Sequence, residues 1–306
     1  MKVLITGGCG YIGTELVQKL NTMPGIDKII ILDNLSRGNY NFFVGQQTFD
    51  KNKLQFVFGD LLDSRKIRNI LKEKPDIVFH LAAKVSTPFH DSQAQMYDQI
   101  NHWGSAELVY ALEDVHPCKV IYLSSASVYG NQDAPVNKNQ SPNPKSFYAI
   151  SKLKAEEHFL RISSKMPVII FRCGNVYGYS KSMRFDAVIN KFMFESHYLS
   201  RITIHGNGSQ YRPFIHIQYL TNLLSACIDK FQLTGIFDAV EKNLSIADIA
   251  DTLKKLYPDL ETIFVNRSMP LRSLQVEKDP ETLEFFGETK ELLNELSSFR
   301  NNFSWI

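Results

Sequence analysis

Two side chains four residues apart, Tyr148 and Lys152, could together carry out acid–base chemistry. On a helix, residues at this spacing share a face, so the Lys152 ammonium can stabilise a Tyr148 phenolate. A nearby positive charge lowers the pKa of a phenol from its usual value of about 10 toward working pH, where the phenolate can act as a general base. Tyr177 and Lys181 have the same spacing, but they follow a strand in a glycine-containing loop. The sequence therefore predicts Tyr148 as the base.

Hydroxyl groups lie shortly before this pair. An apolar run over residues 120–123 predicts a strand, and the serine-rich segment 124–130 follows it directly. Ser125 and Ser127 would then lie at the carboxyl edge of a sheet, where ligands bind in open α/β sheets.

Glycines that could cradle a phosphate lie close to the start of the chain. An apolar run over residues 2–5 predicts a strand that leads into Gly7, Gly10 and Gly13, and these open a helix reaching to about residue 20. Glycines let the backbone turn tightly, approach a ligand closely and pack the helix on the strand. The unpaired N–H groups and the dipole of the helix N-terminus suit a pyrophosphate.

An acidic residue follows at the position expected for a dinucleotide site. A second apolar run, residues 28–32, predicts a strand that ends in Asp33. A carboxylate there binds ribose hydroxyls and repels a 2′-phosphate. Arg37 lies nearby, but residues 34–36 carry no basic side chain. The strand, glycines, helix, strand and acid in this order predict a dinucleotide site that prefers NAD to NADP.

Further strands and helices must position these residues. Apolar runs at residues 54–58, 77–81, 120–123 and 168–171 alternate with amphipathic stretches of helical length. Strands that are apolar throughout and alternate with helices are typical of a parallel sheet that is covered on both faces. The sequence therefore predicts an α/β protein with a Rossmann-type doubly wound parallel sheet.

This alternation stops near residue 175, which predicts a second region. We expect an NAD-binding Rossmann domain over residues 1–174 and a smaller C-terminal substrate region over residues 175–306. Residues 236–239 look like one more strand of the sheet. The segment near 213–240 would therefore return to the first domain, so that the two regions are interleaved.

Composition excludes several functional classes. The chain has 306 residues, of which 22% are charged and 44% apolar, and a net charge of +2 with no block of five like charges. These values are typical of a globular protein that binds neither nucleic acid nor an anionic membrane. No stretch of about 18 apolar residues occurs, and the first apolar run is too short for a signal sequence. We expect a cytoplasmic protein.

The four cysteines predict neither a disulfide framework nor a zinc site. They are widely spaced, form no CxxC motif and have no neighbouring set of histidines. Cys9 lies where a helix dipole could lower the pKa of a thiol, but a small side chain in a tight turn explains it better. We expect reduced thiols and no bound metal.

Several short motifs, taken in chain order, resemble those of a known family. They are residues 6–13, Gly59-Asp60-Leu61, His80-Leu81-Ala82-Ala83, and residues 124–130, 148–152, 171–178 and 206–216. With these motifs the chain resembles the extended short-chain dehydrogenase/reductases of the NAD-dependent epimerase/dehydratase family. The resemblance runs over essentially the whole chain.

This resemblance implies which residues bind NAD. Asp60 and Leu61 would hold the adenine, and the backbone of Ala82 and Ala83 would border the phosphates and the ribose. Asp60 could instead serve as a turn residue before a helix cap, and Asn101 could instead be a buried structural amide. The predicted cofactor-binding residues are Gly7, Gly10, Tyr11, Ile12, Gly13, Asp33, Asn34, Asp60, Leu61, Leu81, Ala82, Ala83, Asn101, Tyr148 and Lys152.

The resemblance also implies a nucleotide-diphosphate sugar as substrate, with the base and the sugar left open. Asn175 resembles the family's sugar-diphosphate contact, while Arg212 and Arg272 resemble its pyrophosphate clamps, since a guanidinium can bind phosphate bidentately. Lys84 could meet a substrate phosphate or only solvent, and Arg272 could likewise be solvated. The predicted substrate-binding residues are Lys84, Ser125, Ser127, Asn175, Arg212 and Arg272.

Catalytic roles follow from the same resemblance. Tyr148 would take a proton from a sugar hydroxyl while the same carbon gives a hydride to NAD, and Lys152 would support the phenolate. Ser125 would hold the hydroxyl and then the ketone. The family's 4,6-dehydratases carry Asp-Glu directly after the catalytic serine or threonine, whereas this chain has Ala126-Ser127. This difference argues against dehydration.

We therefore expect a 4-epimerase. A 4-dehydrogenase or 4-ketoreductase would use the same residues and is the alternative, although Asp33 favours NAD and reductases more often use NADPH. A cofactor-sensing module without activity is a remote alternative, because such proteins typically lose the tyrosine or the lysine.

A homodimer is also expected from the resemblance. Extended family members commonly pair the helices that correspond to residues 97–113 and 148–163. Apolar side chains that could form this interface, or could instead face their own sheet, are Trp103, Leu108, Phe159 and Leu160.

Overall fold

A parallel sheet runs through the centre of the computed structural model, which describes residues 1–45, 49–85, 94–132, 134–230, 232–266, 271 and 273–304. Its strands are β1 (Lys2–Thr6), β2 (Lys28–Asp33), β3 (Leu54–Phe58), β4 (Ile77–His80), β5 (Lys119–Ser125), β6 (Val168–Cys173) and β10 (Gly235–Ala239). They lie in the order β10-β6-β5-β4-β1-β2-β3, and every neighbouring pair is parallel. The chain reverses direction across the sheet between β1 and β4, so the ligand crevice is expected at their carboxyl ends.

Helices cover both faces of this sheet. They are α1 (Tyr11–Thr22), α2 (Ser64–Leu71), α3 (Ala94–Tyr97), α4 (Gly104–Leu112), α5 (Phe147–Ile162) and α7 (Ile217–Ala226). Val3 and Ile5 of β1 pack with α1 and α7, whereas Leu4 packs with α2, α4 and α5. Because both faces are buried, the strands are continuous apolar runs rather than alternating ones. The predicted Rossmann-type sheet is confirmed.

The helix predicted over residues 97–113 is interrupted. A π-helical segment, Asp98–Trp103, joins α3 to α4. Two short 3₁₀ helices follow β2 and β5, at Tyr40–Phe43 and Ala126–Tyr129.

A smaller set of elements follows β6. Its strands are β7 (Asn175–Tyr177), β8 (Arg201–His205), β9 (Tyr211–His216), β11 (Lys242–Ser245) and β12 (Glu261–Val265). The order β11-β9-β7 forms one sheet, and β12 pairs with β8 in another. The helices of this part are α6 (Val188–Leu199), α8 (Ile246–Leu256), α9 (Pro280–Leu283) and α10 (Leu292–Arg300). Between these elements the chain returns through β10 to pair with β6, as predicted for residues 236–239. The exact domain boundary at residue 174 stays a prediction.

Neither a membrane span nor a metal cluster is found in the described part of the chain. None of its helices is both long and apolar enough to cross a membrane. Nor do its His, Cys, Asp and Glu side chains form a group of three or more that could hold a metal ion.

Candidate active site

The turn between β1 and α1 is tight and prepares the start of α1 for an anion. Gly7 has a φ of 74°, and a Cβ at this position would lie 2.7 Å from the backbone nitrogen of Ala82. A Cβ at Gly13 would collide with the Gly7 carbonyl oxygen. Gly10 is the N-cap of α1, and among the described residues no side chain caps this end. The N–H groups of the first turn can therefore bind a pyrophosphate.

Asp33 lies at the carboxyl end of β2, beside this turn. Its Oδ2 accepts a hydrogen bond from the Cys9 N–H (3.0 Å), and its Oδ1 accepts one from the Leu35 N–H (2.8 Å). Each oxygen keeps a second lone pair that a ribose hydroxyl can use. Burial raises the pKa of the Asp33 carboxyl, while the two backbone hydrogen bonds lower it. The glycine turn and this carboxylate together fit NAD.

The Cys9 thiol has no sign of activation. Burial, together with the Asp33 charge, raises its pKa to about 12, so the thiol stays protonated. This matches the interpretation of Cys9 as a small side chain in a tight turn.

Asp60 takes the structural role that the sequence left open. Its Oδ2 accepts a hydrogen bond from Asn34 Nδ2 (2.6 Å), and its Oδ1 accepts one from the Leu62 N–H (2.9 Å). Asp63, three residues later, caps α2 through the Lys66 N–H. Leu61 is buried among the residues of α2 and α4. Contact of Asp60 and Leu61 with adenine stays a prediction.

The chain leaves β4 next to the glycine turn. The Leu81 N–H donates to the Thr6 carbonyl oxygen (3.1 Å), and the Ala82 N–H lies 3.3 Å from Thr6 Oγ1. His80 is fully buried, with its ring nitrogens 2.7 Å from Thr6 Oγ1 and 2.9 Å from Ser105 Oγ. The backbone of Ala82 and Ala83 is thereby held at the crevice, where the cofactor is predicted to pass.

Asn101 is a buried amide whose polar groups are used inside the protein. Its Oδ1 accepts from the Lys84 N–H (2.8 Å), and its Nδ2 donates to the Lys84 carbonyl oxygen (2.9 Å) and to Ser151 Oγ (3.0 Å). It lies in the π-helical segment, and such segments are frequent at functional sites. Asn101 therefore positions the chain after β4 against α5. Its contact with the cofactor, and the role of the Lys84 side chain, stay predictions.

The predicted catalytic side chains meet where β5 ends and α5 begins. The Ser146 side chain caps α5 through the Ala149 N–H, which places Tyr148 in the first turn. Ser125 is the last residue of β5, and its hydroxyl group lowers the pKa of the Tyr148 phenol. Ser127 Oγ lies 2.9 Å from Ser125 Oγ. The Ser125 and Ser127 hydroxyl groups therefore lie together at the end of β5, where the substrate hydroxyl is predicted to bind.

Lys152 lies one helical turn after Tyr148 and is 3% exposed. Its Nζ lies 4.2 Å from the centre of the Tyr122 ring, a cation–π contact. Burial lowers the pKa of Lys152 to about 7. Burial also raises the pKa of Tyr148, whereas the Ser125 hydroxyl group lowers it. Proton transfer from Tyr148 thus depends on positive charge close to its hydroxyl group.

The predicted substrate contacts lie on neighbouring strands. Asn175 begins β7, and its Nδ2 donates to the Pro213 carbonyl oxygen of β9 (3.0 Å). Arg212 lies one residue earlier on β9, with Nη1 2.8 Å from the Tyr211 carbonyl oxygen. These two residues are therefore close together. Arg272 lies outside the described residues.

One contact between the two regions was not predicted. Residues 178–182, which we call the crossing segment, lie against the N-terminal half of α1. The Tyr11 hydroxyl donates to the Gly178 carbonyl oxygen (2.5 Å), and the Thr14 hydroxyl donates to Ser182 Oγ (2.8 Å). The side chain of Tyr11, a predicted cofactor contact, is thus used to hold this segment.

Arg184 is a second feature that sequence analysis missed. Its guanidinium pairs with Asp186, with Nη2 2.8 Å from Oδ2, and its charge lowers the pKa of Tyr148. It approaches the tyrosine from a loop after β7, and no spacing along the chain links the two residues.

Comparison with known proteins gives the family. The model of the NAD dependent epimerase/dehydratase family matches residues 3–237. A dTDP-D-glucose 4,6-dehydratase of Dictyostelium discoideum is 32% identical over 81% of the chain. The chain spans only 60% of the length of that relative. A UDP-glucose 4-epimerase of Mycolicibacterium smegmatis is 29% identical over 71% of the chain and 70% of its own length.

A solved structure shows the same fold. The crystal structure of UDP-glucuronic acid 4-epimerase from Bacillus cereus, in complex with UDP-glucuronic acid and NAD, has a TM-score of 0.84 at 24% identity and covers 98% of both chains. This similarity supports the fold. The glycine turn, Asp33 and the helix with Tyr148 and Lys152 are parts of that fold. With the family model matching residues 3–237, the chain belongs to the NAD dependent epimerase/dehydratase family.

Proposed function

We propose that this protein is an NAD-dependent nucleotide-sugar 4-epimerase. The observation that carries the proposal is the position of Ser125 at the carboxyl edge of β5, where its hydroxyl group lowers the pKa of Tyr148, with Lys152 on the same face of α5. The glycine turn and Asp33 provide a place for NAD at the adjacent switch point of the sheet. When bound, NAD would supply the hydride acceptor and donor.

The chain's own residues would move the proton. Ser125 holds the sugar hydroxyl against Tyr148, whose phenolate takes the proton as the carbon becomes a ketone. Lys152 stabilises the phenolate from one turn further along α5. Tyr148 then returns the same proton to the sugar oxygen after the ketone has turned over. The two half-reactions balance, so this cycle needs no second acid.

Ala126 and Ser127 argue against dehydration. Removal of water from C5 and C6 requires an acid and a base beyond the tyrosine, and neither of the two residues directly after Ser125 carries a carboxyl group. Ser127 instead bonds to Ser125. The similarity to 4,6-dehydratases therefore supports the first oxidation at C4, which both activities share, rather than elimination.

The crossing segment favours an epimerase over a net dehydrogenase. Tyr11 and Thr14 of α1 bond to Gly178 and Ser182 over the helix start where the pyrophosphate is expected. We propose that this segment covers the bound cofactor and slows its release. A 4-epimerase needs no exchange of its cofactor, whereas a 4-dehydrogenase or 4-ketoreductase must release it at every turnover.

On the substrate side, we propose that Asn175 and Arg212 hold the diphosphate of the nucleotide sugar. Asn175 begins β7 two residues after Cys173, the β6 partner of Ser125, and β9 pairs with β7. A guanidinium can bind two phosphate oxygens at once. Arg272 is proposed as a second clamp, and Lys84 as a further phosphate contact.

One experiment decides between these activities. The purified protein is denatured to identify released NAD or NADP, and fresh protein is incubated with UDP-, dTDP-, GDP- and CDP-hexoses while NADH absorbance and sugar NMR are followed. We expect C4 stereoisomers without a net change in NADH. Accumulation of NADH, or consumption of a 4-keto sugar, would instead identify a dehydrogenase or reductase. Bound NAD without any conversion would identify a cofactor-sensing module.

A cytoplasmic homodimer is the proposed form of the protein. The four cysteines are free, as is usual in a reducing compartment. Trp103 lies directly before α4, Leu160 lies on α5, and both side chains are exposed. Their exposure supports pairing through these helices. Leu108 and Phe159 are fully buried against their own sheet, so the interface that we propose does not include them.

A further inference from the structure

A buried ion pair lies beneath the catalytic helix and has no part in the reaction described above. Glu156 follows Lys152 by one further turn of α5 and is 1% exposed. The Arg172 Nη2 atom of β6 lies 2.8 Å from Glu156 Oε2, and the Arg172 Nε atom lies 3.2 Å from Oε1. The Ser124 hydroxyl, adjacent to Ser125 on β5, also donates to Oε1.

Strand register brings these groups together. Ser124 and Arg172 are direct partners in the β5–β6 ladder, so their side chains point to the same face of the sheet. That face is covered by α5, where Tyr148, Lys152 and Glu156 recur every four residues. The pair is thus fixed by three elements at once, directly next to the catalytic residues.

Glu156 is the charged neighbour that acts most strongly on the Lys152 ammonium. The other titratable groups facing Lys152 are Tyr148 on α5, Tyr122 on β5, Cys173 on β6 and His80 on β4. Burial raises the pKa of Cys173 to about 12 and places that of Tyr122 well above its usual value. Burial also lowers the pKa of His80. Cys173, Tyr122 and His80 are therefore uncharged at neutral pH.

We propose that Glu156 is a positioning residue that keeps the buried Lys152 ammonium charged, and that Arg172 and Ser124 hold the Glu156 carboxylate in place for this purpose. The inference rests on the proposed function in one respect, because that function gives Lys152 its catalytic task. Burial alone disfavours an ammonium, and the positive nicotinamide ring required by that function disfavours it further. A fixed carboxylate opposes both effects.

The two charges of the pair act on Lys152 with opposite signs. Removing the carboxylate in Glu156→Gln leaves Arg172 as an uncompensated buried cation, so both changes favour a neutral Lys152. Removing the guanidinium in Arg172→Gln leaves the carboxylate to favour the ammonium more strongly. A role limited to packing predicts no such opposite shifts.

The test measures the charge of Lys152 directly. Protein labelled with ¹³C at the lysine Cε is titrated by NMR, and the Lys152 signal is assigned with Lys152→Arg. We expect Glu156→Gln to lower the midpoint of the Lys152 titration by about one pH unit or more, and Arg172→Gln to raise it. Glu157→Gln removes an exposed carboxylate from the same helix and is the matched control, with no expected shift.

Equal midpoints in Glu156→Gln and Glu157→Gln would overturn the proposal. Should a single variant fail to fold, Glu156→Gln/Arg172→Gln retains a neutral buried pair. Its midpoint is expected below that of the natural chain, and an unchanged midpoint would again refute the role of Glu156. The titration needs no turnover, so the absence of epimerisation in the natural chain would contradict the proposed function without affecting this result.

Discussion

Tyr148 is the residue whose hydroxyl group the proposed reaction depends on most directly. In Tyr148→Phe the ring keeps its edge-on contact with Tyr97, at 6.1 Å between ring centres, and only the hydroxyl group is lost. We expect turnover to fall by about a hundredfold to ten-thousandfold, the range for loss of a general base. Turnover and the NAD released on denaturation are measured together.

A second tyrosine provides the control for this change. Tyr110 is an exposed residue of α4, and Tyr110→Phe should turn over at the rate of the natural chain. Unchanged turnover in Tyr148→Phe as well would refute the catalytic assignment of Tyr148.

Asp238 should make stability depend on pH. Its Oδ1 accepts from the Tyr129 hydroxyl (2.8 Å), whereas its buried Oδ2 has no hydrogen-bond partner among the described residues. Burial raises the pKa of this carboxyl from 3.8 to about 7. The folded state therefore holds the proton more tightly than the unfolded state, and stability is lost as pH rises from about 4 through about 7.

Asp238→Asn tests this dependence, because an amide keeps the acceptor for Tyr129 and cannot ionise. Between about pH 5 and about pH 8, the free energy of unfolding of the natural chain should fall relative to that of Asp238→Asn, by an amount on the order of a few kcal/mol. Urea unfolding at several pH values measures both chains. Parallel pH profiles would contradict the expectation.

Residues whose spacing is local could be predicted from the sequence, and residues brought together by the fold could not. Tyr148 and Lys152 share one helix, and the glycines share one turn, so their types and spacing are visible in the chain. The charge of Arg184 acts on Tyr148 from a distant loop. The amide of Asn101 is used by Lys84 and Ser151, and no local pattern distinguishes that use from contact with a cofactor.

Among the elements, the crossing segment should control how long NAD stays bound. Thr14 is not a predicted cofactor contact, yet its hydroxyl bonds to Ser182 of this segment. Thr14→Val removes that hydrogen bond, and Tyr11→Phe removes the one to Gly178. A hydrogen bond contributes about 1 kcal/mol, so each variant should release NAD several-fold faster, as followed by fluorescence or by NAD retained after gel filtration.

Thr22→Val is the control for these variants, since Thr22 is an exposed residue at the other end of α1. It should retain NAD like the natural chain. Release rates that are equal in all these proteins would show that the crossing segment does not cover the cofactor.

Element prediction succeeded where the apolar pattern was continuous. The strands of the central sheet, including β10, were visible as apolar runs because both faces of the sheet are buried. The π-helical segment Asp98–Trp103 was not visible, because one wider turn hardly changes the spacing of apolar residues. The crossing segment has no regular element and therefore no period to detect.

For the whole molecule, we expect a dimer. A charged side chain introduced on the exposed face of α5 should disrupt it. Leu160 is 41% exposed on this helix, and Leu199 is 57% exposed at the end of α6. Leu160→Arg should convert the dimer to a monomer because it places a charge in the apolar interface, whereas Leu199→Arg should not. Light scattering at micromolar concentration measures both. A monomeric natural chain would overturn the proposed assembly.

The return of β10 to the central sheet has a consequence for synthesis on the ribosome. β6 leaves the exit tunnel long before residues 235–239 do, and until they emerge it has an open edge with unpaired backbone groups. Such an edge invites pairing with other chains, so the nascent protein needs protection while β7, α6, β8, β9 and α7 are made. The central sheet is therefore complete only after the elements between β6 and β10 have been made, and a chain that ended near residue 174 would keep the open edge of β6.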